Sequence, residues 1–569
     1  MPRLRRRPAG EPDALPAHLH PLLRRVYAAR GLRTADELDL SPARLLPPQG
    51  LLGVERAAEL LEQAIADRRR ICIAGDYDAD GATATAVAVL GLRALGAATV
   101  DYVVPDRFTM GYGLSPALVE RARALDAELL VTVDNGIASH AGVAAANDAG
   151  LQVIVTDHHL PPAELPAAAA IVNPNQPGCG FASKHLAGVG VMFYLLLALR
   201  ARLRLQGVFL RRAEPNLAEL LDLVALGTVA DLVRLDHNNR ILVEQGLSRM
   251  RDGRLRPGLA ALLAAAGRQA QRLTAADLGF ALAPRLNAAG RLEDMRIGIQ
   301  CLLAEDLAGA VPLAQRLDAL NRERRELQTQ MCESAVERLA PGDSRVGVCV
   351  HDAGWHEGVI GLVASRLRER LHRPVIAFAP ATQPELLKGS GRSIPGLHLR
   401  DVLADIDAGR SGLIERFGGH AMAAGLTLAA AQLPAFADAF DAACRARLNP
   451  STLEAVLDSD GELAGAELSL EAALALEQGG PWGQGFPEPL FDGVFEILDT
   501  RPVGGQGQHL RYRLRTGAGQ MLTAIHFNGA EQAASSPAAH LAYRLTVNRF
   551  QGSEAAELTV VERWPCNRR

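Results

Sequence analysis

Three aspartates at alternate positions, Asp76, Asp78 and Asp80, sit in the stretch ICIAGDYDADGATA from Ile71 to Ala84. Carboxylates crowded in this way repel one another, and burying an unpaired one is costly. They suit either a solvated acidic turn, where Asp is common, or a site for hard divalent cations, which take oxygen ligands. Two further clusters favour the cations. Asp134-Asn135-Gly136 follows the apolar run Leu129–Val133, and Asp157-His158-His159 follows Gln152–Thr156. Farther on, Asp231 follows Ala225–Ala230. Oxygen-rich ligation with one imidazole favours Mn2+ or Mg2+ over zinc, which would draw more His or Cys. The carboxylates suffice for two ions, and a pair about 3.5–4 Å apart can share a hydroxide and stabilise both the attacking and the leaving oxygen of an in-line displacement. The substrate is then a phosphoester or a phosphoanhydride.

The elements that position these residues read as an open α/β sheet. Ile71-Cys72-Ile73-Ala74 is a buried parallel strand, and the Ala-rich run after Gly81, to about Leu95, is a helix. The acids therefore leave strand ends along one sheet edge, the usual ligand crevice of such folds. From Ile71 to about Leu235, strands and Ala-rich helices alternate, which predicts a mostly parallel sheet covered on both faces. On the same edge, the strand Val100–Val104 runs into a loop with Arg107, Gly111, Tyr112 and Gly113. That loop suits a phosphate and a stacked base, or it is a surface loop with a snorkelling Arg. Asn173–Gly178 reads as a turn, and Gly188 and Gly190 open an apolar helix, with His185 given a structural place.

A chain of 569 residues predicts three or four domains. Its apolar fraction of 48% and charged fraction of 22% are those of a soluble globular protein. The net charge of −4 leaves any nucleic-acid track to local Arg and Lys. No run is apolar and long enough to span a bilayer, and the basic start lacks the apolar core of a secretory signal, so a cytoplasmic protein is expected. Seven cysteines without a CxxC pair read as reduced thiols. Residues 1–50 read as a packing arm on the first domain. A helical connector over 236–340 contains Arg285, Asn287 and Arg291 in the Pro/Gly-bounded stretch PRLNAAGR, read as a loop, and Leu307–Leu339 as a long helix. A second α/β unit over 341–450 carries Ser390 and Arg392, then Gly418-Gly419-His420, read as a helix start suited to an anion. After the turn-rich linker Gly480–Pro489, five short strands predict a small barrel, most simply an OB-fold, over 455–569. Arg511 and Arg513 interleave there with aromatic residues, a composition suited to single strands or to a plain barrel core.

DYDAD, VDNG, TDHH and GTVAD, in this order, resemble the four motifs of the DHH phosphoesterase superfamily. HEGVIGLVASRL, GSGRS and FGGHAMAAG resemble the DHHA1 domain that accompanies it, and GYGL, L-AGVGV and PR-NA-GR resemble further family segments. Together they resemble the bacterial single-strand-specific exonuclease branch over about residues 50 to 565. That resemblance implies a parallel-sheet DHH domain over 51–235, the helical connector, a DHHA1 domain and an OB-fold. It implies two ions, Mn2+ or Mg2+, held by Asp76, Asp78, Asp80, Asp134, His158 and Asp231, with Asp157 orienting the His158 ring. His159 would face the scissile phosphate, with Arg285 and Asn287 beside it. Arg107, Tyr112, Arg291, Ser390, Arg392, Gly419, His420, Arg511 and Arg513 would bind nucleic acid, the first two facing Ser390 and Arg392 in a pocket for a 5′-phosphate. No His precedes Asp76, which matches this branch and leaves the ligands of the first ion open.

The implied function is a 5′→3′ exonuclease on single-stranded DNA that releases 5′-mononucleotides in recombination and repair. It would be a monomer working with a single-strand-binding protein and a helicase. A phosphatase for small phosphoanhydrides or short oligonucleotides is the alternative that the long binding surface opposes. A non-catalytic scaffold or an inert single-strand-binding module is the one that the full set of acidic motifs opposes.

Overall fold

In the computed structural model the chain opens on a short strand, β1 (Arg3–Arg6), and the apolar runs that follow form the expected parallel sheet. Its strands are β2 (Arg70–Ala74), β3 (Thr99–Val103), β4 (Leu129–Val133), β5 (Gln152–Thr156) and β6 (Ala170–Val172). They lie in the order β3-β2-β4-β5-β6, all parallel. Every residue of β4 is buried, as a strand covered on both faces requires. On one face pack the helices Ala79–Ala94 and Gly188–Leu205, with Leu221–Ala230 stacked on both. On the other, Leu118 and Val143 of two short helices join Cys72, Leu130 and Val153 in one core. The strand order reverses between β2 and its neighbours β3 and β4, which places the ligand crevice at the ends of β2 and β4.

The structure describes residues 1–339, 344–383, 385–530 and 537–566. The expected boundary between connector and second α/β unit, at 340–341, lies outside them. The chain divides into a larger unit, residues 6–318 with 458–569, and a smaller one, residues 1–5 with 319–457. In the larger unit the stretch read as the PRLNAAGR loop is a helix, Ala283–Leu292, preceded by one π turn, Leu278–Leu282. Pro284 is the second residue of this helix and follows directly on the π turn. Gly290 is inside the helix because a Cβ there would stand 1.8 Å from the Tyr77 carbonyl oxygen. The long helix runs over Leu307–Arg338.

The smaller unit holds β7 (Val348–His351), β8 (Val375–Pro380), β9 (Leu386–Arg392), β10 (Arg416–Gly419) and β11 (Ala423–Ala429). Their order is β10-β11-β9-β8-β7, with only β7 and β8 parallel, around a core of Phe378, Phe436 and Phe440. After β7 the helix Ile360–Leu371 follows. The expected helix start at Gly418-Gly419-His420 is instead a β-hairpin: Gly419 closes β10 at φ +139°, and the His420 N–H donates to Ala423 O at 2.8 Å. The free helix N–H groups invoked for a phosphate there do not exist.

After β12 (Val456–Ser459) and the helix Leu470–Gln478, five strands close a barrel. They are β13 (Phe491–Val503), β14 (His509–Arg515), β15 (Met521–His526), β16 (Ala538–Asn548) and β17 (Ala555–Pro565), in the order β13-β14-β15-β17-β16. Only β15 and β17 pair in parallel. This is the OB order. Along β14 the side chains alternate, so Arg511, Arg513 and Arg515 face out while Tyr512 faces the core. Phe527 and Phe550 remain exposed. The N-terminal arm packs on the barrel side and on the start of the connector. Arg30 pairs with Asp460 at 2.8 Å, and Tyr27 donates to Gly479 O, while Gln245 and His237 hold the arm's Leu40 and Asp39 carbonyls. Among the described residues no helix is long and apolar enough to cross a membrane.

Candidate metal centre and active site

The acids converge as the strand ends predict. Asp76 leaves β2 through Gly75, and Asp78 caps the helix Ala79–Ala94, accepting the Gly81 N–H at 3.0 Å. Asp134 leaves β4 with its backbone at φ +62°, a left-handed conformation that Asp tolerates better than most residues. Asn135 ties the two strand ends together, donating to Ala74 O at 3.1 Å and Val133 O at 2.9 Å. Asp80 points across to the helix Gly188–Leu205, where its two oxygens accept the N–H groups of Gly188 and Val189 at 2.7 and 2.9 Å. Gly188 permits this close packing, since a Cβ there would lie 2.4 Å from the Asp134 Cβ. Asp231 reaches the site from the C-terminal end of the helix Leu221–Ala230, not from a strand.

Three groups of ligand atoms, each within 4.8 Å, result: Asp76 with Asp78 and Asp134; Asp134 with His158 and His159; and Asp80 with His158 and Asp231. Asp134 and His158 are each shared by two groups. His158 Nε2 lies 3.1 Å from Asp134 Oδ1 and 3.5 Å from Asp231 Oδ2. Neither His158 Nε2 nor Asp134 Oδ1 makes a hydrogen bond, and Asp76 Oδ1 also lacks a partner. Buried polar atoms without a hydrogen bond call for a partner such as a bound ion.

The electrostatics agree. Burial and the Asp78 charge push Asp76 well above the usual carboxylate range, and burial with the Asp80 charge does the same to Asp134. Burial and Asp231 raise Asp80 to about 7, and burial and Asp78 raise Asp231 to about 7. A bound cation would reverse each of these shifts.

The two histidines play different parts. Burial and the neighbouring His159 charge hold His158 below its usual value, as a neutral ligand requires. For His159 burial is outweighed by Asp157, whose bond and charge raise it to about 9. Asp157 was expected to orient His158; it orients His159 instead, through an Nδ1 to Oδ1 contact of 2.7 Å. The reason is local geometry. Asp157 is buried at the strand end, held by the Ile137 N–H, and its other oxygen meets the backbone N–H of His158 and the ring of His159. The Tyr112 hydroxyl donates to Asp134 O at 3.0 Å and lies 3.2 Å from the His159 ring. Arg107 stacks on Tyr77, its guanidinium carbon 4.0 Å from the ring centre.

The connector residues approach from behind. Asn287 Oδ1 accepts the Ala79 N–H at 2.8 Å and so fixes the turn that carries Asp78. Arg285 is bound to Asp318 at 2.8 Å and donates to Ala281 O. Arg291 acts on the Tyr77 hydroxyl electrostatically. In the smaller unit Arg392 donates to Ser390 Oγ at 3.2 Å, and Ala423 beside the His420 turn pairs with Arg392. Two supports escaped the sequence reading. Asn173 and Asn175 donate to the carbonyls of His159 and His158 at 2.9 and 2.6 Å. Their signal was the Asn-Pro-Asn that follows β6, which was read only as a turn.

A parallel sheet with acids and histidines at its switch point defines a metal-binding phosphoesterase of the DHH class. The model of the DHH family, N-terminal domain, matches residues 70–228, that of the DHHA1 domain 343–446, and that of the RecJ OB domain 459–562. The chain is 53% identical over 577 residues to the single-stranded-DNA-specific exonuclease RecJ of Dickeya dadantii (strain 3937), covering 99% of each chain. It is 52% identical over 580 residues to RecJ of Escherichia coli (strain K12), again covering 99% of each. The crystal structure of RecJ in complex with Mn2+ from Thermus thermophilus superposes with a TM-score of 0.82 at 32% identity, covering 100% of this chain and 80% of that one. The chain belongs to the RecJ family.

Proposed function

We propose that this chain is a metal-dependent exodeoxyribonuclease that degrades single-stranded DNA from the 5′ end, releasing 5′-mononucleotides in recombination and repair. The observation that carries the chemistry is the unbonded convergence of Asp76, Asp134 and His158. The carboxylate and imidazole set fits two Mn2+ or Mg2+ ions: Asp76, Asp78 and Asp134 would hold one, and Asp134, Asp80, His158 and Asp231 the other. Bound there, the ions would activate a water and neutralise the charge on the phosphoryl oxygens.

The chain's own residues do the rest. Asp157 keeps the His159 imidazole protonated near neutral pH, so its charge faces the phosphate oxygens as they gain charge. Asn287 and Arg285 act as positioning residues, the first on the Asp78 turn and the second on its own helix. Arg107 and Tyr112 suit a phosphate and a base; Ser390, Arg392 and His420 suit phosphate, and the outward Arg511 and Arg513 suit a strand backbone. Gly419 serves by shaping the hairpin that presents His420. Family membership supports the remaining parts of the proposal: a cytoplasmic monomer whose partners are a single-strand-binding protein and a DNA helicase.

The test is incubation of the pure protein with 5′- or 3′-labelled single- and double-stranded DNA in Mn2+, Mg2+ or chelator. Mononucleotide release from the 5′ label, on single strands and with metal only, is expected. Release of orthophosphate from small phosphoanhydrides, with DNA left intact, would instead assign the small-molecule phosphatase.

A further inference from the structure

Tyr77 stands between the ligands Asp76 and Asp78. Its backbone is clamped from the connector side. A Cβ on Gly290 would stand 1.8 Å from the Tyr77 carbonyl oxygen, and Asn287 holds the Ala79 N–H two residues on. The ring meets Tyr112 edge-on, centre to centre 6.0 Å, and Tyr112 meets the His159 ring in the same way at 5.6 Å. Over the Tyr77 ring lies the Arg107 guanidinium, its carbon 4.0 Å from the centre, well within the reach of a cation–π contact. Asp106 shapes the loop that brings it there, accepting the Phe108 and Thr109 N–H groups at 2.8 and 3.2 Å. Arg107 has no counter-charge of its own. Among the described residues no carboxylate stands within ion-pair distance of it, and its buried Nε makes no hydrogen bond. Its charge nevertheless acts on Asp76. Arg285, by contrast, is spent on Asp318 at 2.8 Å.

We propose, resting on the nuclease reading above, that Tyr77 is a positioning residue: its ring holds the Arg107 guanidinium beside the metal centre, off the carboxylates, with its N–H fork left for two phosphate oxygens of the bound strand. A guanidinium close to so many acids would otherwise fold onto one of them, since paired bonds to a carboxylate are its strongest contact. A cation over a ring gives up no N–H donor, so the fork stays available to an oxyanion that arrives later. The same contact leaves Asp76 and Asp78 to the ions, because an Arg bonded to either would compete with a cation for its oxygens. Tyr77 thus keeps the charge for the substrate and the charges for the metal apart.

The test uses the full chain with Tyr77→Phe, Tyr77→Leu, Arg107→Ala and the double variant Tyr77→Leu with Arg107→Ala. Affinity for fluorescent oligodeoxythymidylate, measured without divalent cations, reads the phosphate contact. KM and kcat in Mn2+ read the nuclease assignment, and Mn2+ stoichiometry reads the ligands on either side of Tyr77. Tyr77→Leu should weaken affinity and raise KM about ten-fold, with kcat and bound Mn2+ retained. Tyr77→Phe should restore both, and in the Arg107→Ala background Tyr77→Leu should cost nothing more. Pentafluorophenylalanine at position 77 keeps the shape of the ring and reverses the charge of its face, so it should weaken binding as Tyr77→Leu does; this arm decides if Tyr77→Leu does not fold. A parent without turnover would fail the nuclease reading alone, while the affinity cycle still decides on Tyr77. The proposal is overturned by unchanged affinity in Tyr77→Leu, by equal penalties with and without Arg107, by a fluorinated ring that binds like Tyr77→Phe, or by loss of bound Mn2+ and kcat along with affinity.

Discussion

Two of the places where the larger unit buries carboxylates treat them in opposite ways. Asp492, at the start of the barrel, is fully buried, yet it accepts from Arg6 at 2.7 Å, from His540 at 3.0 Å and from Ser459. Burial would raise it, but these partners hold it below the usual carboxylate range. Asp460 nearby is gripped by Arg30 through two bonds of 2.8 and 3.0 Å, and both side chains are 2% exposed. At the end of β2 and β4, Asp76 and Asp134 are equally buried but meet other acids and a neutral His. Each pair at the barrel carries its own cation. At the sheet edge the protonated His159 is bonded to Asp157, so the remaining acids depend on cations from solution.

Substitutions can break this contrast. Asp134→Asn, which removes the charge and still tolerates the left-handed backbone, should lose orders of magnitude in metal-dependent turnover, because the shared ligand goes, while the metal-free protein keeps or gains stability as repulsion falls. Turnover together with melting in chelator checks both halves. Asp460→Ala should do the reverse. It leaves the Arg30 charge buried and should cost about 3–5 kcal/mol in denaturant unfolding, with turnover per folded molecule retained. Asp157→Asn should lower turnover by about 10–100-fold. It should also bring the His159 pKa down from about 9, which an NMR titration of the ring would record.

The smallest effect is one of pH. Asp80 and Asp231 rise from 3.8 to about 7 on folding without metal. A raised folded-state pKa gives stability that is full below the unfolded value and lost as pH climbs through the folded one. The metal-free protein should therefore lose stability between about pH 4 and 7, where the paired Asp492 contributes no such loss. The gain in melting temperature on adding Mn2+ should grow over that window and level off above it. A gain independent of pH would mean that these carboxylates do not receive the ion.

The strand-end acids were legible because each is local: an apolar run, then Asp. The barrel was legible for the same reason, as alternation within short segments. What was misread depends on contacts between distant residues. Pro284 and Gly290 look like loop residues, but the first follows directly on a π turn, and the second is demanded by Tyr77, more than 200 positions away. Gly418-Gly419-His420 turns on cross-strand pairing with Gly425 and Ala424, which no local pattern announces. Asp157 has two histidines after it, and only the fold decides which ring its carboxylate reaches. The clasp of Arg30 on Asp460 spans 430 positions and left no trace in an arm read as packing on one domain.

The most direct measurement is the Mn2+ stoichiometry of the parent and of Asp134→Ala by calorimetry, with electron paramagnetic resonance on the same samples. Two ions per chain with an exchange-coupled signal in the parent, and loss of the coupling in Asp134→Ala, are predicted. A parent that binds no ion, or one uncoupled ion unaffected by Asp134→Ala, would contradict a two-cation centre built on the shared carboxylate.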